Sequence, residues 1–220
     1  VYNRMALGVL ITAITALMVS SSDALMTLFM GVTPSEFLAG KAPGIQSWIV
    51  MFAPLAIIWF GFNPMTMKQS TLQMSFFAIS FLYGVSFSII ALIYTGDSIA
   101  RAFFIATGMF AGLSIFGYVT KKNLSGVGNF AAMAVIGVLV MSVLNMFIFK
   151  SAGLVDIISI VGILAFAGIT AWQTQIMKEM YHPSAGADAN SRMAWSAALT
   201  LYISFIALFQ YILQLVGNRE

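Results

Sequence analysis

The chain has no cysteine, a single histidine, and only ten Lys and Arg with seven Asp and Glu among its 220 residues. Without cysteine, disulfide scaffolds, thiolate metal sites and cysteine nucleophiles are excluded, and nothing is implied about redox compartment. A charged fraction of 8%, against about 25% in an ordinary soluble domain, excludes a soluble globular protein. What fills the composition instead is apolar: 60% hydrophobic and 14% aromatic residues, with a mean hydropathy of +0.97. That richness excludes disorder, because disordered chains are poor in apolar groups and rich in charge.

The spacing of the few charges then carries the fold. A helical membrane span needs about 18 or more residues with few ionised groups. Seven charge-free intervals qualify: residues 5 to 22, 42 to 67, 69 to 96, 102 to 120, 123 to 149, 157 to 177 and 193 to 218. They are apolar all round, whereas barrel strands are shorter and alternate in polarity, so the spans are helices. The expected fold is an all-α integral membrane protein, one seven-helix domain over residues 1–220 with spans at about 5–22, 45–62, 71–94, 101–119, 127–148, 157–177 and 194–216. Residue 1 is Val rather than Met, so the chain is expected to be truncated or processed. Residues 5 to 22 lack a small-residue cleavage site and are expected to remain as a span rather than act as a signal peptide.

Seven spans put the chain ends on opposite sides. One face then carries Arg4, Lys68, Lys121, Lys122, Lys178 and Arg192, and the other Lys41, Arg101, Lys150 and Arg219. The acids deepen the asymmetry, with Glu179 and Asp188 on the first face against Asp23, Glu36, Asp97, Asp156 and Glu220 on the second. Positive charge favours the cytoplasm, which predicts a cytoplasmic N-terminus and an outside C-terminus. The longest loops, 23 to 46 and 179 to 192, are the expected mobile segments. No basic run exceeds Lys121-Lys122, so the lipid bilayer, not nucleic acid, is the expected partner.

Enzyme chemistry finds little footing. An intramembrane aspartyl protease needs two carboxylates sharing a proton, and no span has Asp or Glu in its middle. There is no GxSxG elbow, no lysine in the last span for a Schiff base, and one His for any metal or triad. The expectation is a non-enzyme without cofactor. Secondary candidates near span ends are Asp97 and Arg101, spaced as an i, i+4 ion pair, and Asp156, placed to complement a helix N-terminus or to meet an entering ion. Uncharged polar residues within spans, among them Ser86, Ser88, Asn145, Thr170, Gln173, Thr174, Gln175, Ser204 and Gln214, are expected to hydrogen-bond between helices, and Gly108-Met-Phe-Ala-Gly112 to allow close packing of the fourth span.

Three stretches are more distinctive: SIFGYVTKKNLSGVGNFAAMAVIGVL (114–139), FAGITAWQTQIMKEMY (166–181) and LTLYISFIALFQYILQLVGNR (199–219). With VYNRMALGVLITA (1–13), FLYGVSFSII (81–90) and YTGDSIARAFFIATGMF (94–110), they resemble the Bax inhibitor-1 family, the transmembrane Bax inhibitor motif proteins, in its bacterial branch. The resemblance implies a bacterial inner-membrane protein whose seventh helix is central and wrapped by the other six. It also implies a calcium leak gated by pH through two aspartates near the cytoplasmic side, one on each of the last two spans. The family's Tyr-Asp-Thr-Gln reads here Trp172-Gln173-Thr174-Gln175, and its Leu-Tyr-Leu-Asp-Phe-Ile-Asn reads Leu201-Tyr202-Ile203-Ser204-Phe205-Ile206-Ala207. Gln173 and Ser204 thus stand where the family has its aspartates. Paired carboxylates titrate as a coupled unit and supply charge for calcium, whereas Gln and Ser do neither. The expectation is a cation leak with weak or absent pH gating, with His182 as the only nearby titratable substitute. The alternative is a non-conducting interaction protein that modulates a membrane protease or other membrane proteins.

Overall fold

A computed structural model describes residues 1–180 and 186–217. The expectations placed on His182, Arg219 and Glu220 lie outside the described residues. The described chain is helical: α1 (Tyr2–Ser20), α2 (Asp23–Met30), α3 (Pro34–Leu38), α4 (Ile45–Phe60), α5 (Gln69–Ile93), α6 (Gly96–Val119), α7 (Ser125–Leu144) with a π-helical turn at Asn145–Phe149, α8 (Ala152–Met180) and α9 (Ala187–Val216). Six of these, α1, α5, α6, α7 with its π-turn, α8 and α9, are long and apolar enough to cross a membrane. The 42 to 67 interval forms only the 16-residue α4, about 24 Å at 1.5 Å per residue, because Gly61, Asn63 and Pro64 end it early. Asn63 Oδ1 accepts the Met65 amide at 3.0 Å, an Asx turn that leads the chain away.

The 23–46 loop is largely ordered, contrary to the expectation of mobility. Ser22 caps α2, and Gly31 closes it in the left-handed region at φ 74°. Thr33-Pro34-Ser35-Glu36 forms a capping box with Pro in the first turn of α3. At the ends of the expected 179–192 loop, α8 runs to Met180 and α9 starts at Ala187; residues 181–185 lie outside the described residues. Charged residues such as Lys178 and Arg192 do not stop a helix; they stop only its apolar stretch.

The chain divides into two compact units, the first holding α1 to α5 and the start of α9 up to Leu199, the second α6 to α8 and the rest of α9. In the first unit α1 and α5 pack tightly. A Cβ on Gly84 would lie 2.6 Å from Thr15 Cβ and 2.7 Å from the Thr12 carbonyl oxygen, so only Gly permits the crossing. The Thr12 hydroxyl sits 2.9 Å from the Gly8 carbonyl and 3.0 Å from that of Ser80, sharing its proton between its own helix and α5. Val19, Met26, Met30, Val32, Val50 and Val85 form the core beneath α2 and α4.

The path of α4 follows from its ends. Gly44 N–H donates to the Met30 carbonyl at 2.7 Å, beside α2 and the end of α1. At the other end Ser75, near the start of α5, donates to the Gly61 carbonyl at 3.4 Å. Arg192 reaches the Met65 carbonyl at 3.2 Å, and Arg4 donates to Ser191 at 2.9 Å while its guanidinium stacks 4.4 Å from the Trp195 ring. Within this unit α4 therefore runs from the end where α1 finishes to the end where α1 begins.

In the second unit α8 is flanked by α6, α7 and α9. Gly117 of α6 lies against the Ala171 carbonyl and Gly128 of α7 against the Trp172 ring, both closer than a Cβ would allow. Gly108 and Gly112 instead have nothing within 4 Å of a Cβ, so the close packing expected of them is not made within the described residues; Gly117 makes it. Phe205 meets Phe103 at 5.8 Å and Phe110 at 5.6 Å in edge-on contacts that hold α9 to α6. At the α7–α8 turn, Lys150 adopts a left-handed φ of 48°. The buried Asn145 spans this turn, accepting the Ser151 amide at 2.9 Å and donating to its carbonyl at 3.2 Å.

Candidate functional site

The stripe Thr170, Gln173, Thr174 on α8 recurs at i, i+3 and i+4 and so shares one face. Thr170 donates to the Phe166 carbonyl at 2.7 Å and Thr174 to that of Thr170 at 2.9 Å, both within their own helix. The interhelical role expected of these two threonines is thus not seen, because a threonine hydroxyl reaches its preceding turn more easily than a neighbouring helix. Ser86 likewise bonds back to Leu82, whereas Ser88 bonds back to Val85 and also reaches the Met26 sulfur of α2 at 3.6 Å, the interhelical contact expected of it. Gln173 is long enough to cross. Ser204 of α9, 1% exposed, donates its hydroxyl to Gln173 Oε1 at 2.8 Å.

The structure therefore joins the two residues that the sequence singled out. The pair lies about 10 Å along α8 from Met180, at about 1.5 Å per residue. A second bond of the same kind ties the far end of the seam: Ser159, fully buried, stands 3.2 Å from Gln214 Oε1. Both pairs are neutral. Neither offers the carboxylate charge that a calcium site uses, and in each the serine hydroxyl is bonded to the glutamine Oε1. Next to Gln173, the Trp172 indole N–H is buried with no hydrogen-bond partner among the described residues.

The remaining candidates are not gathered here. Asp97 and Arg101 form the expected i, i+4 ion pair at the start of α6, with side chains 71% and 69% exposed. At that exposure such a pair contributes little to stability. Asp156 is exposed and is the fifth residue of α8, past the first turn where the helix dipole is felt. About 25 Å of helix separates it from Gln173.

Gln175 makes the interhelical bonds expected of the polar span residues. Its Oε1 accepts the Leu124 amide at 2.8 Å, and its Nε2 donates to the Lys122 carbonyl at 2.9 Å. The amide clamps the α6–α7 turn to α8 from the last position of the Trp172-Gln173-Thr174-Gln175 motif.

These features define a polytopic helical membrane protein whose last two helices meet through neutral polar side chains. A family model described as "Inhibitor of apoptosis-promoting Bax1" matches residues 1–220. An uncharacterized protein of Rickettsia prowazekii is 39% identical over 100% of this chain and 88% of its own length. An uncharacterized protein of Caulobacter vibrioides is 40% identical with the same coverage. The inner membrane protein YbhL of Escherichia coli is 36% identical over 100% of this chain and 90% of its own. The chain belongs to the Bax inhibitor-1 family.

Proposed function

We propose that this protein is a bacterial inner-membrane cation leak, with calcium as the transported ion and with weak or no pH gating. The single observation that carries the reading is the Ser204 to Gln173 hydrogen bond, which closes the α8–α9 seam where the family resemblance expects a titrating aspartate pair. A neutral pair holds or releases the seam without regard to proton concentration. The name of the relative YbhL supports the inner membrane.

The finer architecture of this reading has seven spans, with α4 as the short one, since α4 runs between the two ends of its unit. A central last helix is supported by burial: 56% of the apolar window of α9 is buried, against 11% in α7. The N-terminus is cytoplasmic, consistent with Arg4 and Arg192 sharing one end of the first unit. No catalytic chemistry is assigned to the protein.

The test is calcium flux into proteoliposomes at pH 6 and pH 8, for the native protein and for Gln173→Asp with Ser204→Asp. Flux in both, with pH dependence only in the double variant, is expected, because paired carboxylates titrate as a coupled unit. Strong pH dependence in the native protein would overturn the gating assignment.

A non-conducting interaction role, modulating a membrane protease or other membrane proteins, is the second reading. The observation favouring it is that both side-chain pairs across the seam are hydrogen-bonded and uncharged. Absence of flux above empty vesicles, with a stoichiometric membrane-protein partner in pull-downs, would select it.

A further inference from the structure

At one end of the second unit three lysines stand on or beside a single turn. Lys121 and Lys122 are exposed on the α6–α7 turn. The turn is not left free, since both polar ends of Gln175 grip it, at 2.8 Å to the Leu124 amide and 2.9 Å to the Lys122 carbonyl. Lys178, also exposed and one helical turn after Gln175, donates to the Tyr118 carbonyl at 3.1 Å and lies 4.9 Å over the Tyr118 ring. That contact uses one of its three N–H donors and leaves two. The α7 N-terminus opens at the same turn; its Leu124 N-cap supplies no side-chain cap, and Asn123 Oδ1 accepts the Ser125 amide at 2.8 Å. The positive end of a 20-residue helix thus adds to the three ammonium groups. Glu179 is exposed beside Lys178 and forms no ion pair with these lysines among the described residues. Phe116, Tyr118 and Val119, all more than half exposed, border the cluster on α6 with surface suited to acyl chains.

We propose that Lys121, Lys122 and Lys178, held in place by Gln175 and Tyr118, form a binding site for the headgroup phosphate of an anionic phospholipid. Loop lysines that only set topology need no fixed arrangement, because the orientation bias counts charges rather than their geometry. Here a dedicated side chain fixes the loop, and the apolar border continues directly into a membrane-length helix. A lipid phosphate brings its own acyl chains to that border, which a free phosphate cannot do. The inference is independent of whether the protein conducts.

Native mass spectrometry of the purified full chain, loaded with equal phosphatidylglycerol and phosphatidylcholine, reads the retained lipid directly. With each nearby lysine adding to attraction for an anionic surface, phosphatidylglycerol is expected to be preferred by about tenfold or more. K121Q/K122Q/K178Q should abolish the preference, and K121R/K122R/K178R should keep most of it. Lys68→Gln, which removes an exposed lysine of the other unit, should leave it unchanged. Gln175→Ala, which keeps every charge but frees the turn, should lower it by about two- to fivefold, since only the arrangement of the charges is lost. The proposal is overturned if the triple Gln variant retains the preference or if Lys68→Gln removes as much. It is equally overturned if Gln175→Ala has no effect, or if millimolar inorganic phosphate displaces the lipid.

Discussion

Adding one methyl group at Gly117 and at Gly108 should change stability in opposite directions. Both glycines lie inside α6 and would be expected from composition alone to respond alike. An ideal Cβ on Gly117 would overlap the carbonyl oxygen and carbon of Ala171, which are backbone atoms and cannot rotate aside. The only relief is to move α6 and α8 apart, which loses dispersion contacts along the seam. Overpacking of this kind costs about 1–3 kcal/mol. On Gly108 the added methyl meets nothing within 4 Å, and Ala in place of a helix-interior Gly contributes roughly 0.5–1 kcal/mol. The two variants should therefore differ by about 2–4 kcal/mol, or roughly 5–15 °C in Tm on the scaling for chains of this size. Thermal unfolding in detergent, followed by tryptophan fluorescence, measures both. Equal shifts in one direction would refute the assignment of Gly117 as the α6–α8 crossing point.

Three further outcomes follow from named contacts. Ser204→Ala should cost about 0.6 kcal/mol, an average interhelical hydrogen bond in a membrane, and no more than about 1.7; a denaturant titration showing a much larger loss would mean that Gln173 has no other way to be satisfied. Asn145→Ala should cost about 1–3 kcal/mol, because it leaves the half-buried Ser151 backbone groups without their partner. Faster hydrogen exchange confined to the α7–α8 turn would locate the effect. Glu36 has its pKa lowered, first by the hydrogen bond from Lys41 and then by that from the Thr33 amide. Its contribution to α3 should be complete above the ordinary carboxylate range and vanish as pH falls through the lowered value. Amide exchange over residues 33–41 as a function of pH checks the direction, and loss of protection on raising pH would contradict it.

Much of the membrane architecture was legible from charge spacing, because the hydrocarbon layer imposes one requirement on every span: enough apolar residues and no unpaired charge. The same rule misjudged helix ends, since a helix continues into water once its apolar stretch is finished, as α8 does through Lys178 and α9 from Ala187. It also treated residues 23–46 as loop, although Thr33-Pro34-Ser35-Glu36 is a local helix-start signal readable without any tertiary context.

Composition and order alone thus determined that this chain is helical, apolar and a membrane protein, and that Gln173 and Ser204 are polar residues without a titrating group. These are consequences of transfer free energy and side-chain chemistry, which each residue carries with it. Only the tertiary structure decided which polar side chains cross between helices. Thr170 and Ser204 are both buried hydroxyls, yet one turns back to its own carbonyl and the other meets Gln173. Likewise Gly117, not the more conspicuous Gly108-Gly112 pair, marks the close crossing. The reason is geometric: period and polarity place a residue on a face, but only the packing angle and separation of two helices determine what that face touches.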